Sequence, residues 1–138
     1  MNHEHNQQLF ERYPKIFEHR ERLWCRDGWF DLIDALCAKL QEISDRTGSQ
    51  VVARQVKEKF GVLRFYVSEG TTEHADAIAE AEQASHHICE VCGQPGVVKV
   101  SSGYVQCRCP AHMPERAHSL EEQKEAVRAL RKARDEKT

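Results

Sequence analysis

The sequence lacks any long apolar run. No stretch in its 138 residues approaches the ~20 apolar residues that a membrane-spanning helix needs. The first eight residues, MNHEHNQQ, are polar and lack the apolar core of a signal peptide. These absences predict a soluble, cytoplasmic protein with no membrane partner.

The chain also lacks an excess of positive charge. It has 20 Lys and Arg against 22 Asp and Glu, which gives a formal net charge of -2. Without a global positive field, any contact with nucleic acid must come from a local basic patch. The 40% of hydrophobic and 30% of charged residues are typical of a globular chain rather than a disordered one.

Cysteine, in contrast, is frequent, and its spacing predicts a metal site. Six cysteines in a reducing compartment favour metal binding or buried thiols over disulfides. Cys89 and Cys92 are separated by two residues and followed by Gly93, which lets a tight turn close around an ion. After sixteen residues, enough for a hairpin, Cys109 and His112 repeat the gap. We predict a closed tetrahedral shell around one structural zinc ion, without which the C-terminal third cannot fold.

Cys107 is an alternative fourth ligand in place of His112. A single residue separates Cys107 from Cys109, which is a strained bite for one tetrahedral ion. We therefore favour His112 and expect Cys107 behind the site, either in the core or as a thiol supporting a ligand.

The remaining candidate ligands are assigned other roles. His86 and His87 end a helix, so we expect surface or capping side chains, with a hydrogen bond to a ligand sulfur as the alternative. Cys25 and Cys37 are expected to be free, buried thiols.

Apolar periodicity predicts several helices and two hairpins. The expected helices are one ending near Arg12, a short one after Pro14, one from Asp27-Gly28 to Thr47, one capped by Thr71-Thr72 and one from Ser119 to about Arg134. Alternation over residues 50–68, with a turn at Lys59-Phe60-Gly61, predicts a hairpin that pairs Lys57 with Val62. A tighter hairpin is expected over residues 97–107.

The first predicted hairpin carries basic and aromatic side chains close together. Such side chains on a sheet can hold phosphates and stack on bases. A solvated face with Phe60 in the core is the alternative interpretation, since Glu58 and Glu69 dilute the charge. The candidate contact residues for a partner or a nucleic acid are Arg54, Lys57, Lys59, Arg64 and Tyr66.

These elements predict an α+β fold. N-terminal helices pack on a β-hairpin, followed by a treble-clef-like zinc module and a C-terminal helix. The expected boundaries are 1–88 for the α+β domain, 89–118 for the zinc module and 119–138 for the C-terminal helix.

Catalytic residues are not expected. HNH-type nucleases place a histidine base and a second metal on a treble-clef scaffold, but the only charged residues between the two ligand pairs here are Lys99 and Arg108. Asp27, Asp31 and Asp34 cluster at a helix start, where carboxylates more often serve the helix dipole.

Four motifs in order resemble a family of small uncharacterised zinc-binding proteins of bacteriophages and prophages. They are RYPKIF at 12–17, DGWFDLI at 27–33, QVKEKFGVLRFY at 55–66 and CEVCGQPG at 89–96, and the resemblance covers about residues 9 to 112. It implies a second ligand pair of the Cys-x-x-Cys or Cys-x-x-His type, which supports Cys109 and His112 and gives Cys107 no ligand role. It implies no activity.

The leading functional prediction is therefore a non-enzymatic phage-type protein in the cytoplasm of a bacterial host. It would bind a host macromolecule, more readily a protein or protein complex, and an inhibitor of a bacterial defence complex is one version. The alternative is a nucleic-acid-binding zinc protein that uses hairpin 54–66, and the third is a metal-dependent nuclease. No small-molecule substrate is expected.

Overall fold

The computed structural model describes residues 1–136 and has an α+β fold with two separate two-stranded antiparallel sheets. The helices are α1 (His3–Arg12), α2 (Phe30–Thr47), preceded by a 3₁₀ turn at Asp27–Trp29, α3 (Thr72–Ser85) and α4 (Leu120–Glu136). The strands are β1 (Ala53–Lys59), β2 (Val62–Val67), β3 (Val97–Ser101) and β4 (Tyr104–Arg108). The end of the predicted C-terminal segment, 137–138, lies outside the described residues.

The first helix ends at Arg12, as predicted, but no helix follows Pro14. Residues 14–19 form turns instead. The Ile16 carbonyl accepts a hydrogen bond from the Ala53 N–H at 2.7 Å, and Arg20 adopts a left-handed conformation with φ 49°. Ile16 and Phe17 are buried nonetheless. Packing and the bond to β1 therefore replace a helical turn that is too short to stabilise itself.

The core forms between α2, α3 and the first hairpin. Ile33, Leu36, Leu40 and Ile43 recur at helical spacing on one face of α2 and are buried, as the sequence predicts. Gly48 ends the helix in the left-handed conformation that a C-terminal glycine adopts readily. Within residues 1–136, no helix is both long and apolar enough to cross a bilayer.

The first hairpin forms with a different register from the predicted one. Phe60 and Gly61 both have positive φ and make a two-residue turn, so Lys59 pairs with Val62 and Lys57 with Arg64. The predicted pairing of Lys57 with Val62 was wrong by two positions. Because side chains alternate with a period of two, the residues paired between Gln55 and Tyr66 keep their predicted faces, whereas the bulge between Ala53 and Gln55 interrupts the alternation before them. Phe60 is 68% exposed at the turn, which rules out the interpretation that placed it in the core.

Both edges of this hairpin are covered. On the β2 side, α3 supplies acceptors to the backbone: the Leu63 N–H donates to Ser85 Oγ and the Phe65 N–H donates to Glu82 Oε2. On the β1 side, Trp24 pairs with Lys57 in parallel. Polar side chains and a short chain segment thus satisfy edges that would otherwise expose backbone groups.

The second hairpin is shorter, and few of its side chains pack against the helices and the first hairpin. Val100 and Cys107 are buried, and Ser102-Gly103 makes its two-residue turn. Val100 exchanges two backbone hydrogen bonds with His118, which leads into α4. Ser119 Oγ accepts from the Glu122 N–H, as the predicted capping box requires, yet α4 buries none of its described residues.

Candidate metal centre

Four side chains converge at the base of the second hairpin. The ligand atoms of Cys89, Cys92, Cys109 and His112 all lie within 4.8 Å of one another. Cys92 Sγ is 3.6 Å from Cys109 Sγ, and His112 Nδ1 is 3.1 Å from Cys109 Sγ and 3.8 Å from Cys89 Sγ. The structure therefore brings the four predicted ligands together in an arrangement that could hold one metal ion.

Two tight turns and the hairpin between them create this convergence. The Gly93 N–H donates to the Cys89 carbonyl at 2.9 Å, and Gly93 has φ 80°, a conformation that favours glycine. The His112 N–H donates to the Cys109 carbonyl at 3.1 Å, which closes the second turn. Antiparallel pairing of β3 with β4 returns the chain to its starting point, so the two turns face each other.

The backbone around Cys89 favours a thiolate. Burial alone would raise the pKa of the Cys89 thiol. Backbone N–H groups of Cys109, Cys92 and Val91 donate to its sulfur and outweigh burial, so they lower this pKa to about 6. Since the thiolate is the metal-binding form of cysteine, this turn prepares a sulfur ligand near neutral pH.

Cys107 lies behind the cluster and not in it. Its thiol donates to the backbone carbonyls of Ile88 at 3.2 Å and His86 at 3.4 Å. Burial raises the pKa of Cys107 to about 11, which keeps the thiol protonated. Neither His86 nor His87 belongs to the ligand group among the described residues. The geometry thus favours His112 over Cys107 as the fourth ligand.

The metal-binding turn is attached to the N-terminal part of the chain. The Gly28 N–H donates to the Glu90 carbonyl at 2.7 Å, and the Trp29 indole N–H donates to the Ile88 carbonyl at 2.9 Å. Glu90 is buried, which raises the pKa of its carboxyl, and Oε2 accepts from the Arg26 N–H. The division at residue 88 stays a prediction, but these bonds show that backbone groups on both sides of it are joined.

The predicted contact residues are only partly brought together. Lys57, Arg64 and Tyr66 share the outer face of the first hairpin. Arg54 lies in a bulge where the register shifts between Ala53 and Gln55, and Lys59 lies near the turn with its Nζ 5.7 Å from the exposed Phe60 ring.

Two further surface residues escaped the sequence analysis. Trp24 pairs with Lys57, and the Arg22 guanidinium lies 4.6 Å from the Trp24 ring centroid. The signal was weak. Trp24 is the last residue of an apolar pattern at helical spacing over residues 7–24, and nothing in that pattern indicates pairing with a strand residue 33 positions later. We call Arg22, Trp24, Lys57, Arg64 and Tyr66 the aromatic–basic row.

Ser44 and His74 resemble part of a catalytic arrangement, because a hydroxyl lies next to an imidazole ring. Ser44 Oγ is 3.0 Å from His74 Nε2. Both residues are buried, and His74 Nδ1 accepts from the Thr71 N–H in the cap of α3. This pair therefore holds α3 in place and offers no opening to a substrate.

Comparison with protein-family models, with characterised proteins and with solved structures finds no match, so the resemblance to phage proteins stays a prediction and the function has to be argued from this geometry.

Proposed function

We propose that this chain is a zinc-stabilised protein that binds single-stranded nucleic acid on the aromatic–basic row. Thiolate and imidazole ligands favour zinc. Tetrahedral zinc needs about 3.8 Å between two sulfurs and about 3.6 Å between sulfur and nitrogen. The distances of 3.6 Å between sulfurs and 3.1–3.8 Å from sulfur to nitrogen fit that shell. Two ligand-bearing turns joined by a hairpin also support the treble-clef-like arrangement.

A closed shell of four protein ligands gives the metal a structural role. A catalytic zinc keeps one coordination position for water or substrate, and three sulfurs with one imidazole leave none. This argues against the four-ligand ion as a catalytic metal. The nuclease alternative would need a second metal and a base, and the segment between the ligand pairs offers only Lys99 and Arg108 as charged side chains.

The observation that carries the proposal is the row itself. The Trp24 N–H donates to the Val56 carbonyl at 2.8 Å, and the Glu58 N–H donates to the Trp24 carbonyl at 2.9 Å. These bonds place Trp24 beside Lys57, and Lys57 lies directly opposite Arg64. Paired residues on neighbouring strands project from the same face, so an aromatic ring and two cations stand in line.

Aromatic surface in this row is open to solvent. Trp24 is 60% exposed and Tyr66 is 43% exposed, and the Lys57 Nζ lies 5.9 Å from the Tyr66 ring centroid. Large exposed rings beside cations fit single strands, because bases stack on rings while cations contact the phosphates between them.

The charge pairing within the row favours an anionic partner. Lys57 and Arg64 are like charges directly opposite each other, which destabilises a sheet. A phosphate between them would relieve this repulsion. A chain with a formal net charge of -2 that concentrates cations here has the local patch that nucleic-acid binding needs.

Binding to a host protein, such as a bacterial defence complex, remains the competing prediction. Exposed Trp and Tyr are also common at protein interfaces. Nucleic acid is favoured by the opposed cations, for which an apolar protein surface offers no partner.

The test is fluorescence anisotropy of zinc-loaded protein with labelled dT20 and rU20 at several salt concentrations. Trp24→Ala should weaken binding about 5- to 150-fold, which corresponds to about 1–3 kcal/mol for a lost stacking contact. Lys57→Ala/Arg64→Ala should weaken binding and reduce the slope of log K against log salt by about 1.4. Lys124→Ala/Lys132→Ala on α4 is the matched control and should change neither.

Failure to bind either oligonucleotide at low salt would overturn the proposal, as would binding that neither row variant weakens. A complex recovered from a bacterial lysate free of nucleic acid, and abolished by Trp24→Ala, would assign the row to a protein partner instead.

A further inference from the structure

A cavity of about 430 Å³ opens beside the second hairpin. It lies where β3 begins and where the second metal-binding turn follows β4. Its side chains are of two kinds, four apolar and two basic: Pro95, Val97, Pro110, Met113, Lys99 and Arg108. No acidic residue is among those that line it in the described part of the chain.

The apolar residues that line the cavity are partly exposed to solvent. Val97 is 51% exposed although it begins a strand, and Pro95 and Pro110 fix the backbone on either side of the cavity. The volume is within the range of about 300–1,000 Å³ of small-ligand pockets, which are mainly apolar with a few placed polar groups. The apolar residues that line the cavity could contact an aliphatic chain.

One basic side chain of the cavity has an incomplete set of hydrogen-bond partners. The Arg108 side chain is 9% exposed, and its Nε makes no hydrogen bond to any described residue. Arg108 forms a long ion pair with Glu90, whose Oε1 is 4.0 Å from an Arg108 terminal nitrogen, which is too far for a hydrogen bond. Because this ion pair makes no hydrogen bond, the buried guanidinium keeps donors without an acceptor, and a second anion could supply one.

We propose that this cavity binds an amphipathic anion, namely an aliphatic chain with an oxyanion head group. The head group would contact Lys99 and the Arg108 guanidinium, and the chain would lie against Val97, Pro110 and Met113. The metal-held turn and the prolines fix the wall in advance, so little ordering opposes binding. The site lies on the other hairpin and does not depend on nucleic-acid binding.

Titration of zinc-loaded, ¹⁵N-labelled full-length protein with octanoate, octyl phosphate and octan-1-ol tests this assignment. We expect amide shifts confined to residues 95–113 and tighter binding of both anions than of the alcohol. The preferred anion identifies the head group as carboxylate or phosphate. Octan-1-ol binding as tightly as both anions would overturn the proposal.

Two variants separate binding from folding. Lys99→Gln should weaken anion binding about tenfold, as expected for a lost hydrogen bond between charged groups, and leave octan-1-ol binding unchanged. Val97→Glu places a carboxylate at an exposed position of the wall and should abolish anion binding without lowering Tm. Lys124→Gln on α4 is the control. Unchanged anion affinity in both cavity variants would overturn the proposal, even if nucleic-acid binding through the row is confirmed.

Discussion

The two hairpins of this protein are similar in secondary structure but are stabilised differently. Between β1 and β2, Val56, Leu63 and Phe65 are buried against helices, and both sheet edges are covered. Between β3 and β4, the buried side chains are Val100 and Cys107, together with the less buried Arg108, and α4 buries nothing beside them. The first hairpin is held by packing, so we expect the second to depend more on a metal in the cluster at its base.

Typical energies explain why one cluster can replace a core. Full burial of a large apolar side chain contributes about 1.5–3 kcal/mol. A structural zinc contributes on the order of 10 kcal/mol in small modules. A zinc shell would therefore contribute as much free energy as several buried side chains, in a region that has few of them.

Metal removal should produce the largest effect, and it should affect the two hairpins differently. Chelation with EDTA, or Cys109→Ser, should abolish hydrogen-exchange protection in β3 and β4 and leave most protection in β1 and β2, because only the second hairpin loses its support. Native-state hydrogen exchange, with metal content measured by elemental analysis, checks this.

The control for metal removal is Cys37→Ala. Cys37 is buried in the core, where burial raises its pKa, so this variant should lose some stability but keep one metal per chain. Equal protection of β3 and β4 with and without metal would contradict the proposed division between packing and metal.

The contact between the two regions should give an intermediate effect. At Gly28 an added Cβ would lie 2.5 Å from the Glu90 carbonyl carbon and closer still to the Cys89 oxygen. Gly28→Ala should therefore cost about 1–3 kcal/mol and weaken metal binding, because backbone atoms must separate. Urea unfolding and competition with a chromophoric chelator measure the two quantities.

Gly70→Ala is the matched control for this contact. Its Cβ would meet side chains of Val51 and His74 within the first region. It should lower stability while leaving metal affinity unchanged. If Gly28→Ala behaved in the same way, the two regions would be energetically independent.

The smallest expected effect concerns pH and lies wholly in the first region. Partial burial would raise the pKa of Asp27, but the Asn2 N–H and the His5 ring, each 2.8 Å from Oδ1, outweigh it and lower this pKa. The carboxylate therefore stabilises the fold above its unfolded pKa of about 3.9, and this stabilisation disappears as pH falls through the lower folded value.

Thermal melts of the wild type and Asp27→Asn should show this pH dependence. The difference in Tm should shrink as the pH falls from about 5 through about 4. Metal loss in acid affects both proteins and cancels in the difference. A difference that grows on acidification would contradict the assignment.

The sequence was most informative where structure depends on local spacing. Paired gaps predicted the four clustered ligands, and periodicity predicted the strong helix that ends at Gly48. The hairpin register was missed because the turn uses two residues, of which Phe60 has an unusual positive φ.

Contacts between distant segments were not predictable from the sequence. The pairing of Trp24 with Lys57 and the approach of Gly28 to Glu90 join positions 33 and 62 apart. Such contacts follow from tertiary packing and leave no periodic pattern in the chain. This is why two of the five residues of the aromatic–basic row, and the attachment of the turn at Cys89, are visible only in the folded structure.

The positions of the two tryptophans have a practical consequence. Trp29 is buried, with its indole bonded to the carbonyl immediately before Cys89, whereas Trp24 is largely exposed to solvent at the edge of the first hairpin. The chain thus contains two native fluorophores in opposite environments, one bonded next to a candidate metal ligand and one on the exposed face. Iodide quenching distinguishes them, so unlabelled protein can report its metal state and its surface occupancy as separate optical signals.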